Sequence, residues 1–410
     1  MQIKISPPDQ PIKTHVHLPA SKSISNRALI IRALSKEDFK IKNLSNSNDT
    51  GVLADALNHL SQPVINIGAA GTAMRFLTAF LSITPGERVL TGSDRMKQRP
   101  IKILVDLLRE LGAKIEYLEK DGFPPLKIQG SALTSKPVAI KGNVSSQFIS
   151  ALLMIAPTLK NGLTLQIEDK ILSHDYIGMT LKMMQYFGIA TQWEGQIIRV
   201  REGIYHPGPW TVEPDWSAAS YWFETVSLLK NATLHLPGLS QQSLQGDSVL
   251  TEIFSVLGVQ AQFNEKGLFL MNIPTTCRRF EYDFSRCPDL AQTLTVTLAA
   301  KGIPFHLTGL DNLSIKETDR IKALVNELKK LGIHLQTNGK NYITWTGGEP
   351  IKIGANHAIK TYYDHRMAMA FAPLAINTGA LIIDDPEVVK KSYPDFWNDL
   401  KIFGFKISRL

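Results

Sequence analysis

Apolar residues spaced three and four apart, closed by a glycine and followed by alternating apolar positions, recur along this chain. Leu104, Leu107, Leu108 and Leu111 form one stripe; Leu250, Ile253, Phe254 and Leu257 form a second; Ile321, Leu324, Val325, Leu328 and Leu331 form a third. That spacing predicts helices with one buried face. The stripes run into Leu-Gly or Phe-Gly at Gly112, Gly188, Gly258, Gly332 and Gly404, at steps of 76, 70, 74 and 72 residues. A glycine there supplies the left-handed residue that closes a helix, and the period-two stretch after it predicts a strand.

A second element recurs upstream of each helix: a strand that runs into a polar loop. Its copies are FKIKNLSNSND, RVLTGSDRMKQRP, LTLQIEDKILSHDY, TLHLPGLSQQSLQGD, FHLTGLDNLSIKETD and LIIDDPEVVKKSYPD. Asp175, Asp247 and Asp319 lie 72 residues apart, and Asp395 follows 76 later. Six copies of a βαβ-type module account for the chain, and 410 residues exceed one ordinary core, so two groups of three modules are expected. The pattern breaks at GIYHPGPWTVEPDW, residues 203–216. If equivalent helices point their N-termini one way in each group, six positive dipole ends face a shared cleft suited to anions.

Composition narrows the class. The apolar and charged fractions, 44% and 20%, are those of a globular protein, and no run of apolar residues reaches membrane-spanning length. The N-terminus lacks a signal-peptide pattern, so a cytoplasmic protein is expected. Cys277 and Cys287 stand in no CxxC or His-rich context, which predicts plain thiols and no structural metal. A net charge of +8 permits nucleic acid, anionic membrane or small acidic substrates. Lys and Arg occur singly in short Ser, Asp and Gly contexts, without interleaved aromatics, which favours small anions over nucleic acid.

The polar loops hold the candidate chemistry. SKSISNRA places Ser21, Lys22, Ser23 and Arg27 at a helix start after the expected strand VHLPA, where hydroxyls and backbone N–H groups can hold a phosphate. GAAGTAMR enters a helix with Gly71 and Thr72 at the turn and Arg75 one turn in, but no Gly-Lys-Ser/Thr makes it a P-loop. Arg99 precedes Pro100 at a helix start, and a cation set against the dipole suggests an anion between them. VSSQF presents Ser145, Ser146 and Gln147 without the acid or amide of a capping box. Asp364, His365 and Arg366 precede a Met- and Ala-rich helix, Asp289 follows Pro288 at another, and KETDR packs Lys316, Glu317, Asp319 and Arg320 into five positions. A helix cap or a solvated surface explains each alone. Their joint placement is another matter: Lys22, Arg27, Arg99, Lys316, Arg320, Arg366 and Lys391 all occupy strand-to-helix loops or first helical turns.

Taken together, SKSISNRA, AGTAMR, RMKQRPI, VSSQF, SLQGD, KETDR, DHRMAM and KKSYPD resemble the 5-enolpyruvylshikimate-3-phosphate synthase family of enolpyruvyl transferases, in order and over nearly the whole chain. The resemblance implies a two-domain inside-out α/β barrel, each domain three βαβαββ repeats. Residues 1–16 with 214–410 would form one domain and 17–213 the other, with the active site in the cleft and closure driven by the phosphate-bearing substrate. It further implies shikimate 3-phosphate binding by Lys22, Ser23, Arg27, Ser145, Ser146, Gln147, Ser173, Tyr176, Asp289, Asn312 and Lys316. Phosphoenolpyruvate would fall to Lys22, Gly71, Arg99, Gln147, Arg320, His365, Arg366 and Lys391. Asp289 and Glu317, with Lys22, look like the acid/base groups, and Asp319 like a helix cap or an arginine-orienting group. No metal, organic cofactor, nucleic acid or membrane is implied, and a monomer is the family expectation.

The chain departs from the family pattern at Ala69 and Phe76, around the phosphoenolpyruvate loop, which bears on sensitivity to the family inhibitor glyphosate. It departs again at Asn48, Leu313 and Ser314, which bears on closure or local packing. Two rivals are a transferase of the same architecture that acts on UDP-N-acetylglucosamine and typically carries a cysteine on a mobile loop, outside which Cys277 and Cys287 lie, and an inactive anion-binding relative, which would lack some of Asp289, Glu317 or Lys22.

Overall fold

The five glycines that close the striped helices all take positive φ in the computed structural model: Gly112 at 100°, Gly188 at 89°, Gly258 at 98°, Gly332 at 82° and Gly404 at 103°. Behind four of them the next N–H reaches back five residues, as from Ala113 to Leu108 O and from Phe405 to Leu400 O, both at 2.9 Å. A side chain at these glycines would force an L-residue into the left-handed region, so the glycines fix where each helix turns into its hairpin.

The structure describes residues 1–9, 13–349, 351 and 358–410, and the chain divides into two compact units. One comprises Ala20–Val212; the other combines Met1–Pro19 with Glu213–Leu410.

In the Ala20–Val212 unit, the strands Val64–Asn66 and Glu87–Thr91 pair in parallel across the helix Gly71–Ile83. After the helix Lys102–Glu110, a hairpin of Lys114–Tyr117 and Leu126–Gln129 completes the sheet by antiparallel pairing. The same βαβαββ order recurs from Val138–Lys141 to Ile197–Val200. The third sheet of this unit is abbreviated: Trp210–Thr211 returns to pair in parallel with Ile41–Lys42.

The other unit borrows strands from the start of the chain. Lys13–His15 pairs in parallel with Thr233–Pro237, and Gln2–Ser6 inserts antiparallel between Leu381–Asp384 and Lys406–Arg409. Phe280–Trp345 forms a complete module of its own. The strand expected at VHLPA ends at His15; only the Val16 N–H extends its ladder, to His235 O at 2.9 Å, before Pro19 removes a donor.

Each module carries two kinds of helix. One is amphipathic and lies over its sheet, like Lys102–Glu110, with Leu104, Val105, Leu107 and Leu108 inward. The other is buried all round: every residue of Ala291–Ala300 and of His365–Phe371 is buried, as is all of Gly71–Ile83 except its last residue. A helix without a polar face belongs in a core. Helices of this kind lie in each unit's centre, and their N-terminal ends carry the polar residues that do not fit an apolar interior.

Candidate active site

The helix Lys22–Leu34 places Arg27 in the interior of its unit, 1% exposed. Among the described residues, its guanidinium is held by neutral acceptors only. Nε donates to Thr180 Oγ1 at 2.7 Å, Nη1 to Ser23 O at 2.9 Å, and Nη2 to Ser150 Oγ at 3.0 Å and to Tyr176 O at 3.2 Å. The ring of Phe76 lies beneath it, 5.5 Å from the guanidinium carbon. Burial pulls Arg27 down to about 10, with Tyr176 opposing, so it stays charged at neutral pH without a carboxylate partner among the described residues. Such a cation is costly to bury unless an anion compensates it.

The other cations of this unit are closer to its surface. Lys22 pairs with Asp49 at 3.2 Å. Gly71 opens its helix against two guanidinium groups: a Cβ there would lie 2.5 Å from Arg99 Nη1 and 2.9 Å from Arg75 Nη1. Only glycine lets both arginines lie along the loop. Arg99 sits before the helix Lys102–Glu110, whose cap is Ile101, and its buried Nε has no hydrogen-bond partner among the described residues. Ser145 caps Ser146–Ile155 by accepting from Gln147 N at 3.4 Å, so it is a cap without the box. The Gln147 amide donates to Thr72 Oγ1 at 3.0 Å. Ser173 takes a left-handed conformation, φ 55° and ψ 39°, a strained choice for serine at the start of His174–Tyr186.

In the second unit, three carboxylates converge on one buried arginine. Arg320 Nε donates to Asp364 Oδ2 at 2.7 Å, Nη1 to Asp289 Oδ1 at 3.2 Å and Nη2 to Glu317 Oε2 at 3.0 Å. Burial alone would pull Arg320 down, but Asp364, Glu317 and Asp289 together hold it above its ordinary value. Arg366 Nη2 lies 2.9 Å from Asp289 Oδ2, Lys316 Nζ 3.9 Å from Asp289 Oδ1, and Lys391 Nζ 3.8 Å from Glu317 Oε1. His365 Nδ1 lies 3.7 Å from Asp364 Oδ1, and Asn312, nearly buried, begins the turn that leads to Lys316. Burial lowers Lys316, as do Arg320 and Arg366, against Asp289 and Glu317.

Local structure explains these positions. Asp319 caps Arg320–Lys330 by accepting from Lys322 N at 3.1 Å, so the helix begins at Arg320 and Glu317 is left in the loop before it. Asp319 is therefore the cap, and Asp364 orients the arginine. Asp289 does not cap its helix; it lies in the turn Pro288–Leu290 and faces the cations. Four cations, Lys316, Arg320, Arg366 and Lys391, meet three carboxylates, Asp289, Glu317 and Asp364, which leaves one positive charge in excess.

Several participants carried no decisive signal in the sequence. Asp364, 0% exposed, also caps its own helix through Arg366 N at 2.9 Å; its only trace was the charged triplet. Asp49 and Arg75 stood inside quoted motifs but without an assigned role. Tyr221, whose hydroxyl accepts from Arg366 Nη1 at 3.3 Å, had none. Asp247 is buried, accepts from the Ser217 hydroxyl and is pushed up to about 7 by burial, then by Asp289 and Asp215, against Ser217 and Arg366. Cys277 and Cys287 form no disulfide among the described residues, and no group of three His, Cys, Asp or Glu among them could hold a metal ion. No helix among them is long and apolar enough to cross a membrane.

Comparison with known proteins bears on the family and the fold. A family model described as EPSP synthase (3-phosphoshikimate 1-carboxyvinyltransferase) matches residues 7–64 and 60–400. The 3-phosphoshikimate 1-carboxyvinyltransferase of Bacteroides fragilis strain YCH46 is 53% identical over 408 residues, 99% of each chain. That of Vibrio atlanticus is 36% identical over 426 residues, 97% of this chain and 98% of its own. The solved structure of EPSP synthase from Acinetobacter baumannii covers 100% of both chains with a TM-score of 0.79 at 21% identity, a likeness of fold.

Proposed function

The chain belongs to the EPSP synthase (3-phosphoshikimate 1-carboxyvinyltransferase) family, and from that premise we propose which of its residues carry each part of the reaction. The enzyme transfers the enolpyruvyl group of phosphoenolpyruvate to the 5-hydroxyl of shikimate 3-phosphate and releases phosphate. Two obstacles define the chemistry. C2 of phosphoenolpyruvate is a poor electrophile until C3 is protonated, and a secondary hydroxyl is a poor nucleophile until its proton is taken.

Asp289 and Glu317 are our assignment for these two tasks, supported by their attachment to a single guanidinium. Asp289 takes the proton of the 5-hydroxyl as its oxygen bonds to C2. Glu317, with Lys22, delivers a proton to C3, which gives a tetrahedral adduct. Glu317 then removes a C3 proton as the bond from C2 to the phosphate oxygen breaks, and the double bond returns in the product. Arg320 binds both carboxylates through separate nitrogens, which fixes their distance from each other before substrate arrives.

Charge placement supports the binding assignments. Lys22, Ser23, Arg27, Ser145, Ser146, Gln147, Ser173, Tyr176, Asp289, Asn312 and Lys316 serve shikimate 3-phosphate. The uncompensated Arg27 supplies the strongest argument for a phosphate. Lys22, Gly71, Arg99, Gln147, Arg320, His365, Arg366 and Lys391 serve phosphoenolpyruvate. Fixed cations hold the carboxylate and phosphate through the adduct and take up the negative charge that grows on the phosphate oxygen as its bond to C2 breaks. The same reading expects a cytoplasmic monomer that works on two small anions without metal or organic cofactor.

The test is phosphate release from purified protein given each substrate alone and both together, with Glu317→Gln as control. Release that needs both substrates and is lost in the variant supports the assignment. Undiminished release in Glu317→Gln rules Glu317 out of proton transfer.

A further inference from the structure

One buried hydrogen-bond chain touches the segment that carries Lys391 and plays no part in the steps above. Trp222 Nε1 donates to the Tyr393 hydroxyl at 3.2 Å, and that hydroxyl donates to Asp399 Oδ2 at 2.7 Å. Tyr393 is 1% exposed and Trp222 likewise, and both rings pack on Phe396, with centroids 5.5 and 6.5 Å away. Two residues before Tyr393 stands Lys391, the last residue of the 3-10 turn Pro386–Lys391.

That turn has weak means of holding its own shape. A 3-10 helix has poor hydrogen-bond geometry, and this one begins at Asp385 in the left-handed region, φ 49°. Its order comes from ties to its surroundings. The Tyr393 N–H bonds back to Val389 O at 2.8 Å, Trp397 Nε1 donates to Pro386 O at 2.9 Å, and the turn packs on the helix His365–Phe371 that carries Arg366.

The helix Trp216–Leu228 makes the connection. Tyr221 and Trp222 are consecutive on it and therefore project about 100° apart. Tyr221 accepts from Arg366, while Trp222 holds Tyr393. One helix, buried along nearly its whole length, thus references both the guanidinium and the lysine-bearing turn to the same frame.

We propose that Tyr393 is a positioning residue for the reaction: its hydroxyl, fixed between Trp222 and Asp399, sets the height of Lys391 at the phosphoenolpyruvate site. The proposal rests on the assignment of Lys391 to phosphoenolpyruvate. Asp399 completes the clamp as the acceptor. It is half-buried, with Asp395 and His17 as its other charged neighbours, and burial raises its carboxyl to about 6. The carboxylate form, the better acceptor, therefore prevails above that value.

The experiment is steady-state kinetics on the full-length enzyme with Tyr393→Phe, Asp399→Asn and Lys391→Met. Loss of one hydrogen bond should raise KM for phosphoenolpyruvate about fivefold in Tyr393→Phe, with KM for shikimate 3-phosphate unchanged. A smaller folded fraction would lower the apparent kcat and leave both KM values alone, so the split separates positioning from stability. Should Tyr393→Phe fold poorly, Asp399→Asn, which keeps volume and an acceptor oxygen, carries the same test with a smaller selective rise. An unchanged KM for phosphoenolpyruvate in both, with a raised one in Lys391→Met, overturns the proposal and spares the Lys391 assignment. An unchanged value in Lys391→Met overturns both.

Discussion

Arg320 and Asp364 form an ion pair at 2.7 Å in which the arginine side chain is 2% exposed and the aspartate 0%. Forty-four residues separate them in the chain, and Asp364 also caps the helix of Arg366. The aspartate thus spends one carboxylate on two jobs: it anchors the arginine that holds Asp289 and Glu317, and it starts the helix that presents Arg366.

Asp364→Ala should therefore damage stability and activity together. Arg320 keeps Asp289 and Glu317 but loses its shortest and most buried partner, which costs about 1.5 to 3 kcal/mol. Thermal melts of the variant should show a lower midpoint, and the folded fraction that remains should turn over far more slowly, because Arg320 is free to turn from Asp289 and Glu317. A normal kcat in folded Asp364→Ala would remove the orienting role.

Gly71→Ala isolates geometry from charge. The added carbon would sit within 3 Å of Arg99 and Arg75, whose flexible ends must move aside. KM for phosphoenolpyruvate should rise about tenfold, equal to about 1.4 kcal/mol, with little change in melting temperature. Equal affinity in the variant would show that the two arginines can bind without lying along the loop.

Arg27→Lys keeps the charge and loses the fork. Thr180, Ser150 and the Ser23 and Tyr176 carbonyls cannot all be reached by one ammonium group. KM for shikimate 3-phosphate should climb by about tenfold or more while that for phosphoenolpyruvate stays within about twofold. Phe76→Pro, at the ring beneath the guanidinium, should push the same constant in the same direction. An effect confined to phosphoenolpyruvate would reverse the assignment.

Asp247 gives a pH dependence with a definite sign. Its carboxyl is raised to about 7 in the folded protein from an ordinary value near 4, so the folded state holds the extra proton between those limits. Its contribution is intact below about pH 4, is lost at up to about 1.4 kcal/mol per pH unit as pH climbs, and is gone above about 7. Asp247→Asn should accordingly melt higher relative to the native protein at pH 8 than at pH 5. The same difference at both values would mean the proton is not held there.

Much of the fold was legible because its periodicity is local. A stripe such as Ile321, Leu324, Val325 and Leu328, then Gly332, encodes a helix and its end within a dozen residues. The inner helices were harder: Ala291–Ala300 is buried on every side and has no stripe to read. Sheet order was beyond a local reading too, since nothing in Gln2–Ser6 says that it will pair with Leu381–Asp384 and Lys406–Arg409. At the site, the cations were legible as a group from their recurrence at helix starts. Their partners were not, because pairs such as Arg27 with Thr180, 153 positions away, exist only after folding. The charged start at KETDR divides in the same way: Asp319 serves its own helix, while Glu317 and Arg320 serve distant residues.

The borrowed strands impose an order on synthesis. The Ala20–Val212 unit is continuous and can complete its sheets while the ribosome is still making the rest. Gln2–Ser6 is made before that unit, whereas its neighbours on both edges, Leu381–Asp384 and Lys406–Arg409, are made after it. Until those partners are made, a strand with one apolar face, Ile3 and Ile5, keeps both edges open, the stage at which a nascent protein is most exposed to wrong pairing and most dependent on a chaperone to cover it.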